Sequence, residues 1–116
     1  MTPHEITAVR LTVHLSSGAM WHHRPAYAEI VHRAHRQGLA GATVLHGFEG
    51  YGTHLKIHHD RPARLRSHSP CAVVVVDGEA AVRAFVDSLA DILSVNGVAV
   101  LDRVRVHPLP GRSGGG

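Results

Sequence analysis

The clearest pattern in the chain is the alternation Ala8-Val9-Arg10-Leu11-Thr12-Val13-His14-Leu15. Val9, Leu11, Val13 and Leu15 share one side, and Arg10, Thr12 and His14 share the other. It predicts a half-buried strand over 8–15. After Ser16-Ser17-Gly18 the apolar period changes to that of a helix, entered through Trp21-His22-His23-Arg24-Pro25. Pro25 suits the first turn, where its missing N–H costs nothing. Through about Gln37, the residues Tyr27, Ile30, Val31 and Ala34 form an i, i+3, i+4, i+7 stripe, with His32, Arg33, His35 and Arg36 expected to face outward and Gly38 to cap the end. The short apolar run over 42–48 predicts a second strand, which enters a bend at Glu49-Gly50-Tyr51-Gly52.

Residues from about 53 to 70 have little periodicity and carry basic and imidazole side chains from His54 to His68, with Asp60 the one acid. They read as an exposed basic loop, and a loop of that length inside a small domain is commonly functional. Cys71 to Val76 suits a central strand. Asp77 is the expected cap of a second helix running from Gly78 or Glu79 to about Ser94, with Val82, Phe85, Val86, Leu89 and Ile92 inward and Arg83, Asp87 and Asp91 opposite. Asn96-Gly97 is a turn, and 98–106 the last strand, whose apolar phase Asp102 interrupts as a bulge or an interface would. The order β-α-β-loop-β-α-β predicts an α+β, ferredoxin-like βαββαβ fold. Its four-stranded antiparallel sheet would be ordered 4-1-3-2, with both helices on one face.

Composition narrows the function classes. At 116 residues and 44% hydrophobic the chain should form a single domain, over 1–107, followed by a disordered tail at 108–116. No stretch approaches the roughly 18 apolar residues of a membrane span, and the first residues lack a secretory pattern, so a cytoplasmic location is expected. Cys71 stands alone, which excludes an internal disulfide and a CxxC pair and points to core packing. The net charge of +3 includes only one lysine and no block of like charge, so nucleic acid is not an expected partner. The 12 histidines are the unusual feature, because full protonation would carry the charge toward +15 (3 + 12).

Chemistry-bearing motifs are few. GxSxG, Walker lysine and HExxH patterns are missing, as are carboxylates paired for acid–base work, so no enzyme and no catalytic residue is expected. The histidine pairs His22-His23, His32 with His35, and His58-His59 lack the third ligand of a zinc-type site within their own segments. No metal ligand is therefore assigned and the cofactor stays open. The glycines around Tyr51 would let backbone N–H groups approach an anion, with Arg64, His58 and neighbouring cations supplying charge, or simply relax a bend. Glu49 would salt-bridge to one of the arginines, orient this loop or simply be a solvated turn residue, and Trp21 with His22, at the entry to the first helix, would cover the core or stack on a base.

Three passages together resemble the PII-like proteins of domain of unknown function 190. They are Trp21-His22-His23-Arg24-Pro25 with Tyr27 and Glu29, the run from Gly38 through Gly41-Ala-Thr-Val-Leu-His-Gly-Phe-Glu-Gly-Tyr-Gly52, and the strand from Pro70 to Asp77. The resemblance spans about 8–106. It implies a PII-like homotrimer whose sheets face a central core. A small anionic ligand, a nucleotide in the PII proteins, would sit between subunits, and an exposed loop would report it to a partner such as a membrane transporter or channel. Gly50-Tyr51-Gly52 stands where a Gly-aromatic-Gly step approaches phosphate in PII proteins. Their second glycine-rich phosphate loop has no counterpart, since the third strand reaches the second helix through Gly78 alone. The ligand-binding candidates are accordingly Gly50, Tyr51, Gly52, Glu49, His58, Arg64, Trp21 and His22, in a non-catalytic signalling protein. The alternative is a His-rich, divalent-metal-binding trimer of the same fold.

Overall fold

A computed structural model of the chain describes residues 5–47 and 69–107. Four long or medium strands, β1 (Ile6–Ser16), β4 (Thr43–His46), β5 (Pro70–Asp77) and β6 (Val98–Val106), form one antiparallel sheet in the order β4-β5-β1-β6. That is the expected 4-1-3-2 order read from the other edge. The helices α1 (Ala26–Arg36), α2 (Glu79–Ser88) and α3 (Ala90–Leu93) lie over one face.

The alternation of β1 decides which face. Val9, Leu11, Val13 and Leu15 are buried together with Cys71, Val73 and Val75 of β5, under Ile30 and Ala34 of α1 and Val82, Phe85, Leu89 and Ile92 of the second helical segment. Phe85, the largest fully buried side chain, contributes roughly 1.5–3 kcal/mol by leaving water. Cys71 is a core residue, and its burial pushes the thiol up to about 11.

Helix ends follow local chemistry. Gly38, at φ 75°, lets the chain turn back so that its N–H donates to His35 O at 3.1 Å while Leu39 N–H donates to Ala34 O at 3.1 Å, the pairing of a Schellman motif. At the other end of α1, Pro25 is the flanking N-cap residue, with ψ 134°, one position earlier than the helix itself.

Several expectations change in the structure. Trp21 to Pro25 is not a plain lead into the helix: β2 (Met20–Trp21) pairs with β3 (Arg24–Pro25) in a two-stranded ribbon. Its turn residues, His22 and His23, both have positive φ, 47° and 71°, as a primed hairpin turn demands. Histidine is an uncommon choice there, so turn chemistry did not reveal the ribbon. Asp77 does not cap α2. Its carboxylate bridges Gly78 N–H at 2.7 Å and Ala40 N–H at 3.0 Å, tying the segment after α1 to the end of β5, and Gly78 is the N-cap. The second helix breaks at Leu89, whose ψ of 4° ends α2 before α3 begins.

Arg33 is not an outward residue either. Its side chain is 14% exposed, held between Glu29 on its own helix (2.9 Å), Asp91 on α3 (2.8 Å) and the Ser88 carbonyl (2.8 Å). The helix break beside Ser88 gives that guanidinium a carbonyl to bind. Asp102 marks no bulge, because the β1–β6 register runs unbroken from Ile6↔Val106 to His14↔Val98. Asp102 instead faces Arg10 directly across the ladder and accepts two hydrogen bonds from it, at 3.1 and 2.7 Å.

Candidate functional site

The long segment between β4 and β5 leaves and re-enters the sheet at one fixed point. His46 pairs with Cys71, and Gly47 N–H then donates to Pro70 O at 2.8 Å. A side chain at position 47 would put its Cβ 2.8 Å from Pro70 Cγ, so any residue but glycine would have to push the Pro70 ring aside where the two strands meet. Ser69, fully buried, is held by the end of β1. Ser17 N–H donates to Ser69 O at 2.9 Å, and the two hydroxyls hydrogen-bond at 3.1 Å. Both ends of the segment are thereby anchored to the rigid part of the sheet.

The same end of the molecule gathers the start of α1. Tyr27, in the first turn, meets the His46 ring edge to face at 5.4 Å, and Ala26 N–H donates to Ala19 O at 2.8 Å. A shallow groove of about 210 Å3 opens beside the anchor, lined by His14, Leu45, His46, Gly47, Pro70 and their neighbours Cys71 and Ala72.

Of the residues singled out from sequence, Glu49, Gly50, Tyr51, Gly52, His58 and Arg64 lie outside the described residues, as do the loop at 53–68 and the tail at 108–116. Trp21 and His22 are described. Trp21 packs against the core at the ribbon, its ring touched edgewise by His22 at 4.6 Å and covered by the Arg33 guanidinium at 5.9 Å. That arrangement gives Trp21 a packing role and leaves His22 exposed at the turn.

Sequence reasoning did not single out Gly47, Ser17, Ser69, His46 or His14 for this region. Gly47, standing immediately before the long loop, was the one available signal; the serine pair joins positions far apart in sequence.

The electrostatics favour structure over chemistry at the helix layer. Hydrogen bonding from Arg33 holds the Asp91 carboxyl down at about 2 and lowers that of Glu29, which Arg24 and Arg36 also approach. At the opposite end of the sheet, Arg83 and Arg103 converge on Glu79 at 3.0 and 3.2 Å beside a small cavity of about 120 Å3. Glu79 is satisfied there by two largely exposed guanidinium groups, which leave one positive charge in excess over it. Among the described residues, no three His, Cys, Asp or Glu side chains come together as a metal site would need, and no helix is long and apolar enough to cross a membrane.

The remaining feature of the site is the face of the sheet that carries no helix. Ile6, Leu45, Val98 and Val100 project there and are 44–56% exposed, alongside Ala72, Val74, Val76, Val104 and Val106. Residues 8–106 match the model of the DUF190 family, described as an uncharacterized ACR. The chain belongs to the DUF190 family. A UPF0166 protein of Aquifex aeolicus (strain VF5) is 30% identical over 96 residues, covering 83% of this DUF190 chain and 90% of the relative. Among solved structures, CPII from Thiomonas intermedia K12, a nitrogen regulatory PII-like protein bound to ADP, AMP and bicarbonate, matches with a TM-score of 0.65. The identity is 15%, over 90% of this chain and 97% of that one. The apo form of CPII matches with a TM-score of 0.61 at 15% identity, over 88% and 94% of the two chains. This DUF190 chain therefore has the PII-like fold anticipated from its motifs.

Proposed function

We propose that this chain is a non-catalytic, cytoplasmic regulatory protein that assembles as a homotrimer through the open face of its sheet. It binds a small anionic ligand, a nucleotide in the first instance, in clefts between subunits. The observation that carries the reading is the anchored root of the 48–68 segment. A loop whose two ends are fixed by Gly47–Pro70 and Ser17–Ser69 can change order without disturbing the sheet, so ligand contacts made on it are reported outward. Gly50, Tyr51 and Gly52, the next residues along from that root, would offer backbone N–H groups to phosphate. Glu49, His58 and Arg64 would supply the charges that distinguish bound from free loop, and a transporter or channel is the class of partner to receive the signal.

Two further facts support it. CPII, which shares the fold, is bound to ADP, AMP and bicarbonate. The open sheet face is apolar at most positions, and its two charged residues, Arg10 and Asp102, neutralise each other, so a second copy meets no net charge.

Light scattering comes first: a trimer mass is expected, and a monomer at working concentration overturns the shared cleft. Isothermal titration with ADP, AMP and bicarbonate, and separately with Zn, Cu and Ni, then tests the ligand class. Saturable nucleotide heat that disappears in Gly52→Val supports the proposal. Tight metal uptake lost when His58 and His59 become alanine would replace it with the His-rich metal-binding reading.

A further inference from the structure

Among the described residues, the open sheet face carries one imidazole. His14 projects from β1 onto that face, exposed, between Ala72 of β5 and Val98 of β6 in the same ladder row. The next row holds Thr12 between Val74 and Val100, and Leu45 of β4 lies beyond Ala72. On this face His14 has the hydroxyl residues Thr12 and Ser16 as its neighbours along β1 and the aliphatic Ala72 and Val98 across the ladder, with no charged side chain among them.

Charges are distant or committed. Arg10 and Asp102, the other ionisable pair of the face, sit four residues along the strand, about 13 Å away at the usual strand rise, and are bonded to each other. From β4, His46 borders the same groove as His14, but its ring packs edgewise on Tyr27 on the helix side of the sheet. From β5, Cys71 also borders the groove, with its thiol buried. Among the described residues, no carboxylate stands near enough to His14 to hold an imidazolium.

We propose that His14 is a proton-operated switch on self-assembly: neutral, it is covered when copies pack through the open face, and protonated, it drives them apart. The inference rests on the assembly reading above. Imidazole is the side chain whose ordinary titration falls between about pH 5 and 8, and a cation transferred from water into an aliphatic seam without a counter-ion loses its hydration uncompensated. Covering His14 therefore favours its neutral form. By linkage, assembly is strongest above the ordinary imidazole range and weakens as pH falls through it. Symmetric packing multiplies the effect, because each copy contributes the same group.

Sedimentation velocity of the full chain at pH 8.0 and pH 5.5, with circular dichroism at each pH to follow the fold, tests the switch. The oligomer is expected at pH 8.0, with a dissociation constant raised severalfold at pH 5.5, where imidazole is ordinarily protonated. His14→Leu should stay assembled at both pH values, His14→Arg should be monomeric at both with an unchanged dichroism spectrum, and His46→Gln should keep the parent's pH response. An oligomer equally stable at both pH values, or His14→Leu dissociating like the parent, overturns the switch while leaving assembly intact. A monomer at pH 8.0 overturns the assembly reading and the switch with it.

Discussion

The two faces of the sheet are built from the same strands and differ in what they ask for. On the helix side, Leu11, Val13, Val73 and Val75 are essentially inaccessible, and they share one core with residues of all three helices. On the open side, the alternate positions are almost as aliphatic, yet Leu45, Val98 and Val100 are about half exposed. An antiparallel sheet with one solvated face normally puts polar residues there. This one places valines, relieved by Thr12, His14, Ser16, Thr43 and a single self-neutralising ion pair. The contrast separates two kinds of stability: the covered face holds the chain folded, and in the proposed trimer the open face would hold copies together.

The sharpest break of that contrast is on the covered side. Phe85→Ala empties the largest buried position and should lower the unfolding free energy by about 3–5 kcal/mol in urea titration, enough to leave a small domain marginal. Val100→Asp, on the open side, should do the reverse. Its monomer should unfold within about 1 kcal/mol of the parent, as exposed substitutions do, while light scattering shows the oligomer gone. A Val100→Asp variant that remains a trimer would mean the open face is not the contact surface.

How far such a contrast could be seen in the sequence depends on how local its causes are. The period-2 pattern of β1 and the 3.6 period of α1 encode burial directly, so the strand order, the helix layer and the role of Cys71 were all legible. Gly38 and Asn96-Gly97 were legible for the same reason, since left-handed backbone is a property of the residue itself. The ribbon at Trp21–Pro25 was not, because two histidines occupy turn positions that usually announce themselves with Asn or Gly. Arg33 looked like a surface residue because its partners, the Ser88 carbonyl and Asp91, lie 55 and 58 positions away. Of the candidate site, Glu49 to Arg64 lie outside the described residues, and what anchors the ends of that segment, Ser17 on Ser69 and Gly47 against Pro70, is a product of tertiary pairing that no spacing rule expresses.

Arg33 sharpens the comparison within the helix layer. Arg33→Met keeps an unbranched apolar side chain on α1 and removes the guanidinium that lies over Trp21, which should cost about 1–2 kcal/mol through the lost bonds to the Ser88 carbonyl and Glu29. The same variant has a pH signature. The Asp91 carboxyl is lowered from 3.8 to about 2 by Arg33, so the folded parent gains stability from that pair above pH 3.8 and loses it as pH falls toward 2. Glu29, also lowered, works in the same direction. Chemical denaturation between pH 5 and pH 2 should therefore fall less steeply for Arg33→Met than for the parent. Parallel curves would show that the pair contributes nothing.

The smallest effect on the fold belongs to Arg10 and Asp102, and it bears most directly on the open face. Both side chains are nearly half exposed in the single subunit, where water and salt screen them, so Asp102→Asn should barely move the unfolding midpoint. Within an assembly the same change has a different meaning. It leaves the Arg10 guanidinium without its carboxylate on a surface that must be desolvated, so association should weaken even though the subunit is intact. Exchanging the two, as Arg10→Asp with Asp102→Arg, restores neutrality across the same ladder row and should recover part of the lost association. Sedimentation of the parent, the single variant and the exchange at one pH makes the comparison. If the single variant assembles as well as the parent, charge balance on this face does not govern how copies meet, and the valines alone do.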